Sequence, residues 1–196
     1  MMPISKVQLQ EPSGGRFYNC GQTCTAVKRL YVFESVAREF IRKLEKGVKK
    51  LKVGNGLDKD TDMGPLNNRR QFEYIKELVA EIEEKDEGRI IAGGKAPPSF
   101  KGMDKGYFFE PTLVSDVPGD SRLLKEEVFG PLLPIVTVRD LDEAIEEANR
   151  SIYGLGASIW TKDLDRIRMG CEQLNAGIIW VNQHLKVAPG SSFRRS

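Results

Sequence analysis

The 196-residue chain is poor in the residues that build several common kinds of site. It has a single histidine, His184, and three cysteines, Cys20, Cys24 and Cys171. An odd number of scattered cysteines makes no disulfide framework and fits a reducing compartment, so a cytoplasmic location is expected. One histidine and no CxxC pair leave no ligand set for structural zinc, and no metal is expected. A Ser–His–Asp hydrolase would have to use His184, whose neighbours Gln183 and Leu185 form no base-presenting motif. An excess of charge of one sign is also missing. The net charge is +2, and the basic residues are interleaved with acids, as in Arg38-Glu39, so no nucleic-acid partner is expected. No apolar run approaches the roughly 20 residues that span a bilayer. Met1 to Lys6 has no apolar signal core, so neither membrane insertion nor secretion is expected. There is no internal repeat and no low-complexity segment.

What is present is an ordinary globular composition, 40% hydrophobic and 30% charged, at a length that fits one domain. Residues 1–15 read as an irregular lead-in broken by Pro3, Pro12, Gly14 and Gly15. A short β-prone run, Arg29 to Phe33, precedes a helix over Glu34 to Lys50. A second amphipathic helix spans Asn67 to Glu84, with Phe72, Ile75, Leu78, Val79 and Ile82 at helical spacing. A small strand at Arg89 to Ala92 ends at Gly93-Gly94, and a loop-rich stretch covers Lys95 to Gly106. Tyr107 to Val117 reads as extended, with Pro111 against a central position. Leu132 to Val138 is a continuous apolar strand broken by Pro134. Helices over Leu141 to Arg150 and Asp163 to Leu174 alternate with strands at Leu155 to Trp160 and Gly177 to Asn182. This alternation predicts an α/β fold, a mainly parallel twisted sheet covered by helices. The lysine-rich run Lys43 to Lys52 reads as a solvated helix face.

Cys24 is the strongest candidate for chemistry. The stretch Asn19-Cys20-Gly21-Gln22-Thr23-Cys24 delivers a thiol and runs into the helix-forming residues Ala26 to Arg29. A sulfur at a helix start faces unpaired N–H groups and the positive end of the dipole, which favours the nucleophilic thiolate. The same N–H groups could steady an oxyanion. A buried, inert cysteine is the alternative. Cys20 and Cys171 read as structural.

Four blocks then make a pattern. Gly15-Arg16-Phe17-Tyr18-Asn19-Cys20-Gly21-Gln22-Thr23-Cys24 resembles the catalytic-cysteine signature of the aldehyde dehydrogenase superfamily. Lys125-Glu126-Glu127-Val128-Phe129-Gly130-Pro131 resembles its Glu-x-Phe-Gly-Pro motif. Asn149 with Tyr153 to Thr161, and then Gly177 to Asn182, resemble the next two blocks, in the same order and at similar spacing. The resemblance implies that Cys24 attacks an aldehyde carbonyl and that NAD or NADP takes the hydride. It implies that Glu127 receives the nicotinamide ribose hydroxyls and that Phe129 packs beside the nicotinamide. Trp180, Asn182 and His184 would lie at the substrate-pocket wall. Each position has a plainer reading: Glu127 in a cap or salt bridge, Phe129 and Trp180 in the core, and Asn182 ending its strand through side-chain bonds to the backbone.

Family members also carry a dinucleotide-binding domain ahead of the cysteine, a Glu general base and an Asn oxyanion donor. None has a counterpart in these residues, and residues 188–196 read as a degenerate tail. The expectation is therefore a single catalytic-domain-like unit over residues 1–196. It would take a small-molecule aldehyde, bind the cofactor weakly by itself, and turn over little or not at all alone. Self-association or a partner chain would cover the face left by the cofactor domain. A non-catalytic remnant or interaction module is the alternative.

Overall fold

The computed structural model describes residues 14–98 and 106–186. Expectations for the first 13 residues, for 99–105 and for the tail from residue 187 lie outside them. Four strands form the main sheet: β1 (Leu30–Phe33), β2 (Arg89–Ala92), β3 (Thr112–Ser115) and β4 (Leu132–Val138), in the order β1-β4-β3-β2. β4 pairs in parallel with β1 and with β3, while β2 runs antiparallel to β3 at the edge. Leu132, Leu133 and Ile135 are fully buried, as a strand covered on both faces and flanked on both edges requires. Helices α1 (Glu34–Val48) and α2 (Arg69–Lys85) pack onto the same core. α2 buries Ile75, Leu78, Val79 and Ile82, one apolar stripe of a 3.6-residue period. Asn68 caps it by accepting from Gln71 N–H at 2.9 Å.

The short α3 (Arg122–Lys125) precedes β4, and α4 (Leu141–Asn149) follows it. Beyond them, β5 (Gly156–Ile159), α5 (Leu164–Gln173) and β6 (Ile178–Val181) form a β-α-β crossover whose strands pair in parallel as a separate two-stranded sheet. The Asp140 and Asp163 carboxylates cap α4 and α5. No helix of the described residues is long and apolar enough to cross a membrane.

Three expectations need correction. Pro134 does not break β4; it stands in register with Val114 inside the sheet. The strand forfeits one N–H there, which the burial of its neighbours offsets. Pro111 likewise abuts β3, whose four residues are all buried. Gly14 and Gly15 do not continue an irregular lead-in, because residues 14–17 are helical. Third, no helix forms over Ala26 to Arg29. Val27 N–H is taken by the Gly15 carbonyl at 3.1 Å, and Leu30 onward is drawn into pairing with Ile135 and its successors. Tertiary pairing overrides local propensity here.

Candidate active site

The segment that carries Cys24 is shaped by three consecutive residues at positive φ: Asn19 at 49°, Cys20 at 57° and Gly21 at 73°. Asn is tolerant of this region, whereas Cys20 bears some strain. Only glycine fits at residue 21, because a Cβ there would run into the Gly130 carbonyl. Gln22 then locks the bend, with its amide N–H 3.1 Å from the Asn19 carbonyl and its side-chain oxygen accepting from Asn67 N–H at 2.9 Å. A turn closes from Thr23 carbonyl to Ala26 N–H at 3.2 Å. Cys24 sits in that turn and is exposed. Helical structure thus precedes the thiol rather than following it, so the expected helix-start N–H groups are not what Cys24 faces.

The neighbouring thiols differ. Cys20 is 1% exposed, and burial pushes it up to about 12, which keeps it an unreactive thiol at neutral pH. Cys171 was expected in a structural role but is exposed on α5.

Two cations hold the Cys24 segment to residues 128–130, and the sequence reading gave neither a role. The guanidinium of Arg16 is completely buried. It donates to the carbonyls of Val27 at 3.2 Å, Val128 at 3.1 Å and Gly130 at 2.5 Å, while its Nε has no partner among the described residues. Burial lowers Arg16 to about 9, opposed by the Cys20 and Glu127 charges. Lys28 donates to the carbonyls of Thr23 at 3.2 Å and Val128 at 3.3 Å. The signal for Arg16 was available: a guanidinium in the apolar, glycine-bearing run Gly15 to Phe17 must reach distant acceptors.

Glu127 and Phe129 lie on the irregular segment between α3 and β4. Glu126, one residue earlier, is engaged on every side. Arg122 bonds it through Nε at 2.8 Å, and Tyr74 Oη donates to it at 2.8 Å. These bonds hold the Glu126 carboxyl below the usual carboxylate range. Arg122 also pairs with Glu77 and Glu81 of α2, which anchors the segment to that helix. Glu127 is exposed, and among the described residues it makes no hydrogen bond or ion pair, so the plainer cap or salt-bridge reading does not describe it. It lines an open groove of about 520 Å³ with Asn68, Gln71, Tyr74 and Tyr153. The Phe129 ring is half-buried, with Lys28 Nζ 3.9 Å from its centroid.

The last three candidates gather at the seam between the two sheets. Trp180 is buried in β6, donates from Nε1 to the Lys186 carbonyl at 2.7 Å and meets His184 edge-on. His184 is also buried. Its Nε2 lies 3.0 Å from the Thr25 carbonyl, next to Cys24, and its Nδ1 lies 2.6 Å from Ser158 Oγ. Asn182 ends β6 at φ 53°. Its amide donates to Thr161 carbonyl at 2.9 Å and its oxygen accepts from Thr161 N–H at 3.0 Å, the strand-ending role that was the plainer reading. None of the three lines the groove beside Glu127.

Comparison with known proteins bears on all of this. The model of the aldehyde dehydrogenase family matches residues 6–194. An aldehyde dehydrogenase, mitochondrial, of Leishmania tarentolae is 42% identical over 177 residues, 90% of this chain and 34% of the relative. The solved structure of a 3,6-anhydro-L-galactose dehydrogenase in complex with NAP superposes with a TM-score of 0.88 at 37% identity, covering 93% of this chain and 38% of that one. A double mutant of betaine aldehyde dehydrogenase from Staphylococcus aureus, in complex with NAD+, gives 0.88 at 32% identity, with 93% and 36% covered. The chain spans about a third of the length of the curated relatives it matches. With its mainly parallel sheet, its helices and its four ordered motifs, the chain belongs to the aldehyde dehydrogenase family.

Proposed function

We propose that residues 1–196 form the catalytic portion of an NAD(P)-dependent aldehyde dehydrogenase and that Cys24 is its nucleophile. The observation that carries this reading is the docking of Gly21 on Gly130. It brings an exposed thiol segment against the segment of Glu127 and Phe129, the two places where the chemistry and the cofactor would meet. The sulfur of Cys24 adds to an aldehyde carbonyl to give a thiohemiacetal, the new C–S bond displacing the carbonyl π pair onto the oxygen, which takes up the thiol's proton. NAD or NADP, when bound, supplies the hydride acceptor that leaves a thioester on Cys24. Water then releases the carboxylic acid and frees the thiol.

The side chains present suit the nicotinamide–ribose end of such a cofactor. Glu127 presents an exposed carboxylate with no ion pair among the described residues, an acceptor pair to which two ribose hydroxyls can donate. Phe129 offers a ring beside it. Trp180 and His184 support this site from the seam rather than lining it, and Asn182 fixes the end of β6. A reducing cytoplasm suits the free exposed thiols of Cys24 and Cys171.

Among the described residues no base is hydrogen-bonded to the Cys24 sulfur, and His184 Nε2 is spent on the Thr25 carbonyl, so the purified 196-residue chain is expected to turn over little. Iodoacetamide labelling read by mass spectrometry tests the nucleophile. Cys24 reacts faster than Cys171 at mildly acidic pH, although both are exposed. Equal, slow labelling would remove the case for Cys24. Robust NADH production from aldehyde by the chain alone would refute the low turnover.

A further inference from the structure

Lys28 turns its side chain back across the segment it follows. Its Nζ reaches the Thr23 carbonyl, one residue before Cys24, at 3.2 Å. It also reaches the Val128 carbonyl at 3.3 Å and stands 3.9 Å from the centre of the Phe129 ring. A single ammonium therefore touches both halves of the proposed site. It has no carboxylate partner among the described residues, and its hydration is replaced by two carbonyls and a π face. Charged groups are rarely placed this way without compensation. The groups that face it are mixed. Arg16 and Arg29 oppose its charge, Glu127 and Cys24 favour it, and burial, the largest effect, lowers it to about 7.

We propose that Lys28 is a positioning residue whose ammonium ties the Cys24 turn to the Val128 carbonyl and the Phe129 ring, holding the thiol and the cofactor-side segment in one geometry. The proposal rests on the reading of Cys24 as nucleophile. Arg16 shares the Val128 carbonyl and forms the fully buried half of the same clamp. Lys28 forms the half next to the thiol. Its charge is also the cation placed to attract the negative sulfur of Cys24, and that attraction fades as Lys28 loses its proton near neutrality.

The test compares the wild-type chain with K28M and K28R, following iodoacetamide labelling of Cys24 against Cys171 from about pH 6 to about pH 9. K28M loses the two carbonyl bonds that hold the turn, each a bond to a charged donor, so it slows Cys24 by about tenfold at the acidic end, with Cys171 unchanged. K28R, which keeps the charge, restores most of the rate, and the advantage of wild type over K28M shrinks as the pH passes about 7. Equal rates for wild type and K28M at the acidic end, or equal loss in K28M and K28R with both folded by circular dichroism, would overturn the proposal. If K28M does not fold, K28Q takes its place, with N–H donors but no charge. If wild-type Cys24 reacts no faster than Cys171, the nucleophile reading fails by itself. Hydrogen exchange then decides the clamp: faster exchange at 23–26 and 128–130 in K28M upholds it, and unchanged exchange sinks it.

Discussion

Ser158 Oγ lies 2.6 Å from His184 Nδ1, and the opposite ring nitrogen lies 3.0 Å from the Thr25 carbonyl. A carbonyl only accepts, so Nε2 carries the proton and Nδ1 accepts from the Ser158 hydroxyl. The pair couples β5 to the turn that carries Cys24. A Cβ at Gly15 would run into the same imidazole, so the ring is seated against backbone from several directions.

Replacing His184 with Ala therefore costs stability in two ways, by an unfilled seam and by stranding a hydroxyl and a carbonyl. The expected loss is about 1–3 kcal/mol. Urea unfolding measures it, and S158A, which leaves Nδ1 without its donor, gives a smaller loss. A His184→Ala variant as stable as wild type would show that the seam carries no weight.

Gly21 is the tightest backbone approach in the site, at φ 73° and against the Gly130 carbonyl. Gly21→Ala is expected to lose on the order of 1–3 kcal/mol and to slow Cys24 labelling, because the docking cannot persist. Gly47 of α1 is the control: nothing lies within 4 Å of a Cβ there, so Gly47→Ala gains roughly 0.4–1 kcal/mol. Equal effects at the two glycines would contradict the structure.

Lys28 also sets a pH dependence of stability. Burial lowers its folded value to about 7 from 10.5, so between those values the unfolded chain binds more protons than the folded one. Stability must rise with pH across that window. The penalty is fully present below about 7 and is gone above the unfolded value. In guanidinium titrations, wild type gains on K28M as the pH rises from about 7 toward about 10, and a flat difference would exclude a half-buried, titrating Lys28.

Tyr18 is 67% exposed beside the bent thiol segment, and Ile152 and Tyr153 are 76% and 40% exposed before β5. We propose that these exposed apolar side chains promote self-association of the chain. Light scattering of the purified chain is expected to show species larger than a monomer, and Tyr18→Lys with Ile152→Lys is expected to reduce them. A monodisperse wild-type monomer that binds no hydrophobic dye would remove the proposal.

Much of the fold was legible because its signals are local. The stripe from Ile75 to Ile82 marks α2, the apolar run from Leu132 marks β4, and Asp140 and Asp163 mark helix starts. The misreadings of Pro134, Pro111 and the Ala26–Arg29 run share a cause. Pro134 and Pro111 were weighed by local propensity, but burial on both faces decided their strands. The Ala26–Arg29 run looked helical, but Gly15 and β4 claimed its backbone. In the candidate site the motif spacing picks Glu127 over the adjacent Glu126, and only the position of Arg122 shows that Glu126 is spent on an ion-pair network.

The amino-acid sequence by itself determined the alternation of strands and helices, the four ordered motifs and the identity of Cys24 as the thiol to examine. Periodicity, turn chemistry and motif spacing act over a few residues, so they are written in the chain directly. Only the tertiary structure decided what surrounds that thiol. Arg16 and Lys28 find their carbonyl partners more than a hundred or about a hundred positions away. Gly21 meets Gly130, and His184 reaches Thr25 across 159 positions. Such contacts depend on where the sheet brings distant segments together, and no local spacing records that.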